Sequence, residues 1–303
     1  MALRSNPESS GTDKAAVIAV SSHVVRGTVG NRAMVFALES LGHPVWSVPT
    51  VTLPWHPGHG PATRLVPGPE QFSAFIEDLC NSPKLGEIGA VVTGYFGAPG
   101  QVEDMARLVQ AVKAQSPDAL FVCDPVLGDG GQSGGGRLYQ PAETLAAIRE
   151  LLIPLADVAT PNRFELQFLT GLELNTNQHL IEAAATLGPR LVLVTSAFAL
   201  LRGGIANLLV DGFSATLAEH RHIEGAPSGT GDLTSAVFLA RLLGGASPEK
   251  ALQSTTAAVY EILARTTKRG ADELTLETDA DALRSPLAMV QMRRLAGAGG
   301  RRA

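Results

Sequence analysis

Near the C-terminal third the chain reads APSGTGDLTSAVFLARLL, with Asp232 directly after Gly229-Thr230-Gly231 and ahead of a nearly unbroken apolar run. A helix N-terminus offers unpaired N–H groups and a partial positive charge, and glycines ahead of it let an anion approach the backbone. Gly229, Thr230 and Gly231 therefore read as an anion hole. Asp232 at such a mouth is placed to take a proton from an attacking hydroxyl, although an aspartate at a helix start is equally an ordinary cap. Leu233, Ala236, Val237, Phe238, Leu239, Leu242 and Leu243 make the helix apolar nearly all round, which marks it as central and favours the chemical reading.

Such a carboxylate needs a scaffold, and the apolar period supplies one. Strands are expected at AAVIAV, HPVWSV, IGAVVTGY, ALFVCD, ADVAT and RLVLVT. NRAMVFALESL, PEQFSAFIEDL, QVEDMARLVQAVKA and PAETLAAIRELL alternate with them as helices. That order predicts βαβ units and a mostly parallel sheet, buried on both faces by helices. GIANLLV and FSATLAEH flank Asp211-Gly212 and read as an antiparallel edge hairpin. In open α/β sheets ligands bind beyond the carboxyl ends of the strands. SSHVVRGTVGNRA, TVTLPWHPGHG, TGYFG, CDPVLGDGGQSGGG, TPNRFE and Thr195-Ser196 all fall at that edge. Singly each is a plain strand-to-helix loop; together they outline a site. The Gly128 to Gly136 stretch is expected to act as a flap over a bound ligand.

The 303 residues carry a formal net charge of -5, which argues against a general polyanion binder such as a nucleic-acid protein. With 45% hydrophobic and 17% charged residues the chain can bury a large core. Cys80 and Cys123 are too few for a disulfide framework and suit a reducing cytoplasm. Cys123 sits in an apolar run and reads as packing. No run is long enough to cross a membrane, and the polar N-terminal segment has no apolar signal core. The expected organisation is a disordered segment over 1–14, one domain over 15–295 and a flexible tail over 296–303. Neither GxxxxGK[ST] nor a complete GxGxxG after a strand is present, so another phosphate cradle is required.

SSHVVRGTVGNRA, TGYFG, CDPVLGD, ADVATPNRFE, VTS and GTGDLTSAVF follow the order and spacing of pyridoxal kinases, which the chain resembles from about Val17 to the helix around TTAAVYEIL. The resemblance implies the three-layer α/β fold of the ribokinase-like superfamily and ATP-dependent phosphorylation of the 5′-hydroxyl of pyridoxal. By that resemblance Asp232 is the catalytic base within the Gly229, Thr230, Gly231 anion hole. Ser22 meets the pyridine ring, with Val24 on the apolar side of the pocket, and Trp55, His56 and Tyr95 join the substrate site. Asp124, Asp129, Asn162, Glu165, Thr195 and Ser196 fall on the ATP side, and Asp124 and Glu165 are the candidate Mg2+ residues. Asp124-Pro125 alone is also a simple strand-ending turn, and Glu165 alone a helix-face charge. ATP as co-substrate, Mg2+ with K+ as a further candidate, and a homodimer are likewise implied.

One segment departs from the resemblance. Where many pyridoxal kinases read TVQFSNHT followed by an aromatic, this chain has TVTLPWHPGHG, with Pro57 at the usual threonine and His59 at the usual aromatic. His56 and His59 have no third ligand nearby and read as loop packing. Two rivals share the residues: a hydroxymethylpyrimidine kinase, which the non-glycine-rich SSHVVRGTVGN opening disfavours, and a non-catalytic pyridoxal phosphate sensor, which the intact Asp232, Asp124 and Glu165 disfavour.

Overall fold

A computed structural model describes residues 14–130, 136–212 and 214–296. The expected disordered N-terminal segment, most of the expected tail and the middle of the glycine flap lie outside the described residues.

In chain order the elements are β1 Ala16–Arg26, α1 Asn31–Ser40, β2 Val45–Trp55, α2 Pro69–Cys80, β3 Ile88–Thr93, α3 Gly100–Gln115 and β4 Leu120–Cys123. A short pair, β5 Gly128–Asp129 and β6 Arg137–Leu138, flanks the glycine-rich stretch, and α4 Ala142–Ala147 runs on into a π-helical turn at Ile148–Leu152. There follow β7 Val158–Ala159, α5 Arg163–Thr170, α6 Asn177–Leu187, β8 Leu191–Ala197, β9 Gly204–Asp211 and β10 Ser214–Arg221. The chain closes with α7 Thr230–Leu243, α8 Pro248–Lys268, α9 Ala280–Arg284 and β11 Gln291–Leu295.

The main sheet has nine strands in the order β11-β10-β9-β8-β7-β4-β3-β1-β2. From β2 to β8 every pairing is parallel, and from β8 to β11 every pairing is antiparallel. Alternation along β1 shows why helices cover both faces. Val17 and Ala19 pack with α1, α7 and α8, while Ile18 and Val20 pack with α2 and α3. α7 is central as its composition requires: Leu233 through Ala240 are all buried. Among the described residues no helix is long and apolar enough to cross a membrane.

Three details differ from expectation. TVTLPW is strand, since β2 runs to Trp55; Pro49 and Pro54 fit because β2 is the sheet edge, where an absent N–H breaks no outer ladder. Only the short turn at Pro57–His59 is loop. Thr195-Ser196 lies inside β8 as a register break, not beyond its end. β11 has no counterpart among the expected strands; its exposed, arginine-containing QMRRL closes the edge against β10.

Candidate active site

The N-terminus of α7 opens at Gly229, in the left-handed region with φ 100°. A Cβ there would stand 2.2 Å from the Thr28 carbonyl oxygen, so only glycine lets the GTGD start touch the 27–30 turn. Gly30, with φ 57°, repeats the device: a Cβ would fall 2.3 Å from the Ser22 carbonyl and 2.4 Å from its Oγ. Gly229 thus brings the start of α7 into backbone contact with the 27–30 turn, and Gly30 folds that turn back against Ser22 of β1. The Gly30 amide faces the Asp232 carboxylate and favours its charged form.

Asp232 is half-buried at this junction. Burial pushes its pKa up to about 6, against the stabilising amides of Gly30 and its own backbone. A carboxylate so poised accepts a proton more readily than an exposed one. One turn further along α7, Ser235 Oγ donates to Asp124 Oδ2 at 2.7 Å and lies 2.8 Å from Thr160 Oγ1. Asp124 is thus tied to the helix that carries Asp232. Burial and the neighbouring charges of Glu165 and Asp232 hold its pKa well above the ordinary value. Its loop is strained: Val126, β-branched, sits at φ 42°, and its amide donates to Asp124. Such strain, of order 1–3 kcal/mol, collects where geometry serves a site.

The N-x-x-E segment is first a capping box. Asn162 Oδ1 accepts from the Glu165 amide at 2.9 Å, and Glu165 Oε2 accepts from the Asn162 amide at 2.8 Å. Glu165 Oε1 reaches further, accepting from Leu127 N at 2.8 Å and Gly128 N at 3.4 Å, while Asn162 Nδ2 donates to the Gly128 carbonyl at 2.8 Å. Glu165 is 3% exposed, which removes the surface-charge reading. Burial raises its pKa to about 7, opposed by the three amides and assisted by the Asp232 charge.

Asp124, Glu165 and Asp232 form a concentration of negative charge, and among the described residues no Lys or Arg pairs with any of them. That surplus suits a divalent cation. Among the described residues, however, no three His, Cys, Asp or Glu side chains are assembled to hold a metal ion directly. Mg2+ keeps several waters and takes one or two carboxylates together with substrate phosphates, so this donor set fits it.

Ser22, expected in a loop after the first strand, is instead inside β1, 8% exposed, where the register with β2 shifts between Ser21 and His23; Val24 of the same strand packs with Val29, Val51, Leu53 and the flank of Tyr95. The Tyr95 amide donates to Ser21 Oγ at 3.1 Å; its hydroxyl accepts from Arg64 at 3.0 Å and donates to the Tyr139 carbonyl at 3.4 Å. Tyr139 in turn bonds Asp129 through its hydroxyl, so Asp129 is engaged beside the β5–β6 pair. Trp55 ends β2 opposite Arg26, and His56 begins the outer turn. Trp55 Nε1 donates to the Gly60 carbonyl at 3.3 Å and His56 Nδ1 accepts from Gly58 N at 3.2 Å, contacts that serve the turn rather than Ser22 or Asp232. Burial lowers the His56 pKa. Thr195 donates its amide to the Pro161 carbonyl at 3.0 Å, beside Asn162, and Ser196 holds φ 55°. Cys123 is buried with its thiol pushed to about 12, a packing residue.

Sequence reasoning passed over Ser235, Thr160, Gly30 and Tyr139. Ser235 was within reach, since three residues beyond Asp232 on a helix is the same face.

Fold and site together define a ribokinase-like small-molecule kinase. Residues 75–277 match the family model described as phosphomethylpyrimidine kinase. Over 286 residues the chain is 37% identical to "Pyridoxal kinase PdxY" of Rubrobacter xylanophilus, covering 92% of this chain and 97% of that protein. It is 37% identical over 269 residues to "Pyridoxine/pyridoxal/pyridoxamine kinase" of Bordetella bronchiseptica, covering 86% and 92%. The structure of pyridoxal kinase from Leishmania donovani in complex with ADP and pyridoxamine superposes with a TM-score of 0.85 at 29% identity, covering 92% of this chain and 99% of that one. The chain belongs to the pyridoxal kinases of the ribokinase-like superfamily.

Proposed function

We propose that this chain transfers the γ-phosphoryl group of ATP to the 5′-hydroxymethyl group of pyridoxal, giving pyridoxal 5′-phosphate and ADP. The observation that supports the reading is the backbone junction of the 27–30 turn with the start of α7, at which Asp232 stands. In the reaction the 5′-oxygen attacks the γ-phosphorus, the bond to the ADP oxygen breaks, and the hydroxyl proton passes to Asp232. The amides of Gly229, Thr230 and Gly231, at the positive end of α7, meet the charge on the transferring group. Positioning and fixed charge supply most of the catalysis in such transfers. Ser22 and the Val24 wall hold the ring, and Tyr95 orders the flap side of the pocket.

Asp124, with Glu165 behind it, would hold Mg2+ through its water shell, where the ion neutralises phosphate charge. Asn162, Thr195 and Ser196 line the nucleotide side, and Asp129 sits on the flap. Trp55 and His56 contribute by shaping the outer turn. A single kinase domain over 15–295, a homodimer, a K+ requirement and a cytoplasmic location go with the same reading, which the resemblance and the unpaired cysteines support.

A second reading, phosphorylation of a hydroxymethylpyrimidine, draws on the description of the matching family model. Coupled ADP release with pyridoxal, pyridoxine, pyridoxamine and hydroxymethylpyrimidine separates the two. The first reading expects pyridoxal to be turned over with a higher kcat/KM than hydroxymethylpyrimidine. Preference for the pyrimidine overturns it.

A further inference from the structure

Glu273 lies in the loop after α8, about 245 residues from the turn it grips, and no step above uses it. Its carboxylate is only 14% exposed and its two oxygens serve different turns. Oε2 accepts from the Thr28 amide at 3.1 Å and lies 3.4 Å from Thr28 Oγ1. Oε1 lies 2.8 Å from His59 Nε2. The adjacent Asp272 anchors the same loop from outside through Arg26, with contacts of 2.7 and 2.9 Å. Thr28 is the residue whose carbonyl abuts Gly229, and two residues on, the Gly30 amide meets Asp232.

We propose that Glu273 is a positioning residue for phosphoryl transfer: it fixes the 27–30 turn against the start of α7, and so holds the Gly30 amide on Asp232, while His59 ties the 56–60 turn to the same carboxylate. The proposal rests on Asp232 being the base. Left-handed glycines at both ends of the turn, φ 116° at Gly27 and 57° at Gly30, give it little intrinsic preference for one shape. An outside anchor must therefore supply that shape. His59 adds a second tie, from the 56–60 turn to the same carboxylate. The partners of Glu273 are Thr28, His59 and, at 3.9 Å, Arg26, all on the side of the 27–30 turn, and not Asp124, Asn162 or Thr195. Its loss therefore acts on the reacting geometry and not on ATP binding.

The test is steady-state kinetics of Glu273→Ala and Glu273→Gln with pyridoxal and ATP. A misplacement near the reacting centre is worth up to roughly 100-fold in rate. Glu273→Ala is expected to lose about 10- to 100-fold in kcat with KM for ATP unchanged. Glu273→Gln keeps a carbonyl for the Thr28 amide and is expected to recover most of that loss. If the alanine variant does not fold, Glu273→Asp, which keeps the charge but cannot span both turns, is expected to show the same kcat loss. Unchanged kcat in the shortened variant overturns the proposal, as does equal impairment of the shortened and Gln variants. Asp232→Asn is run alongside. If it is inactive while Glu273→Ala is normal, this proposal alone fails; if it stays active, the assignment of the base fails first.

Discussion

Replacing Glu165 by Gln tests whether the N-x-x-E segment is a buried, charge-strained capping box. The wild-type carboxylate accepts from the amides of Asn162, Leu127 and Gly128. A glutamine has one carbonyl for these donors and turns an NH2 toward the rest, leaving at least one buried amide unsatisfied at about 1–3 kcal/mol. Against this, the wild-type group carries a raised pKa, about 7 in place of 4.5, with burial the main cause. A group whose pKa is raised on folding contributes stability that is full below its unfolded value and is lost as pH rises through its folded value. The gap corresponds to about 3 kcal/mol lost by the wild type between pH 4.5 and pH 7.5 or so, and the glutamine has no such loss. The variant should therefore be less stable by roughly 2 kcal/mol near pH 5, and level with or above the wild type near pH 8. Urea unfolding of both proteins at several pH values, without divalent ions, reads the difference directly. A stability difference that does not vary with pH would refute the argument that burial strains this charge.

Two further outcomes follow from the junction of loops. Gly30→Ala places a Cβ against the Ser22 backbone at φ 57° and ψ −136°, a backbone region that is close to glycine-only and costs another residue of order 1–3 kcal/mol, so urea unfolding should show at least about 1 kcal/mol of loss and pyridoxal turnover should fall. An alanine variant of wild-type stability and rate would mean the contact with Ser22 is not needed. Because Asp232 must be ionised to accept a proton and burial sets its pKa at about 6, kcat/KM for pyridoxal should decline as pH drops through that value; a profile flat to pH 5 would contradict this.

The sheet was legible because buried strands such as IGAVVT at Ile88–Thr93 and LVLVT from Leu191 write continuous apolar runs, and α7 because its apolar surface leaves no exposed face. The capping box was legible too, since Asn162 and Glu165 have the spacing that ties a helix start together, but the resemblance drew that spacing toward metal. β11 escaped because a short edge strand made of QMRRL carries no apolar run. Glu273 escaped for a different reason. Its partners Thr28 and His59 lie more than 200 residues away, and no local period encodes a contact closed only by the completed fold.

Among all these measurements, the rate of pyridoxal 5′-phosphate formation from pyridoxal and ATP by the wild type and by Asp232→Asn bears most directly on the central claim. The substitution keeps the shape at the start of α7 and removes the base, whose loss is typically worth ~10²–10⁴-fold. The wild type should form product with matching ADP release, and the folded variant should be slower by about that factor. A wild type that forms no pyridoxal 5′-phosphate, or an Asp232→Asn variant that forms it at nearly the wild-type rate, would contradict the account.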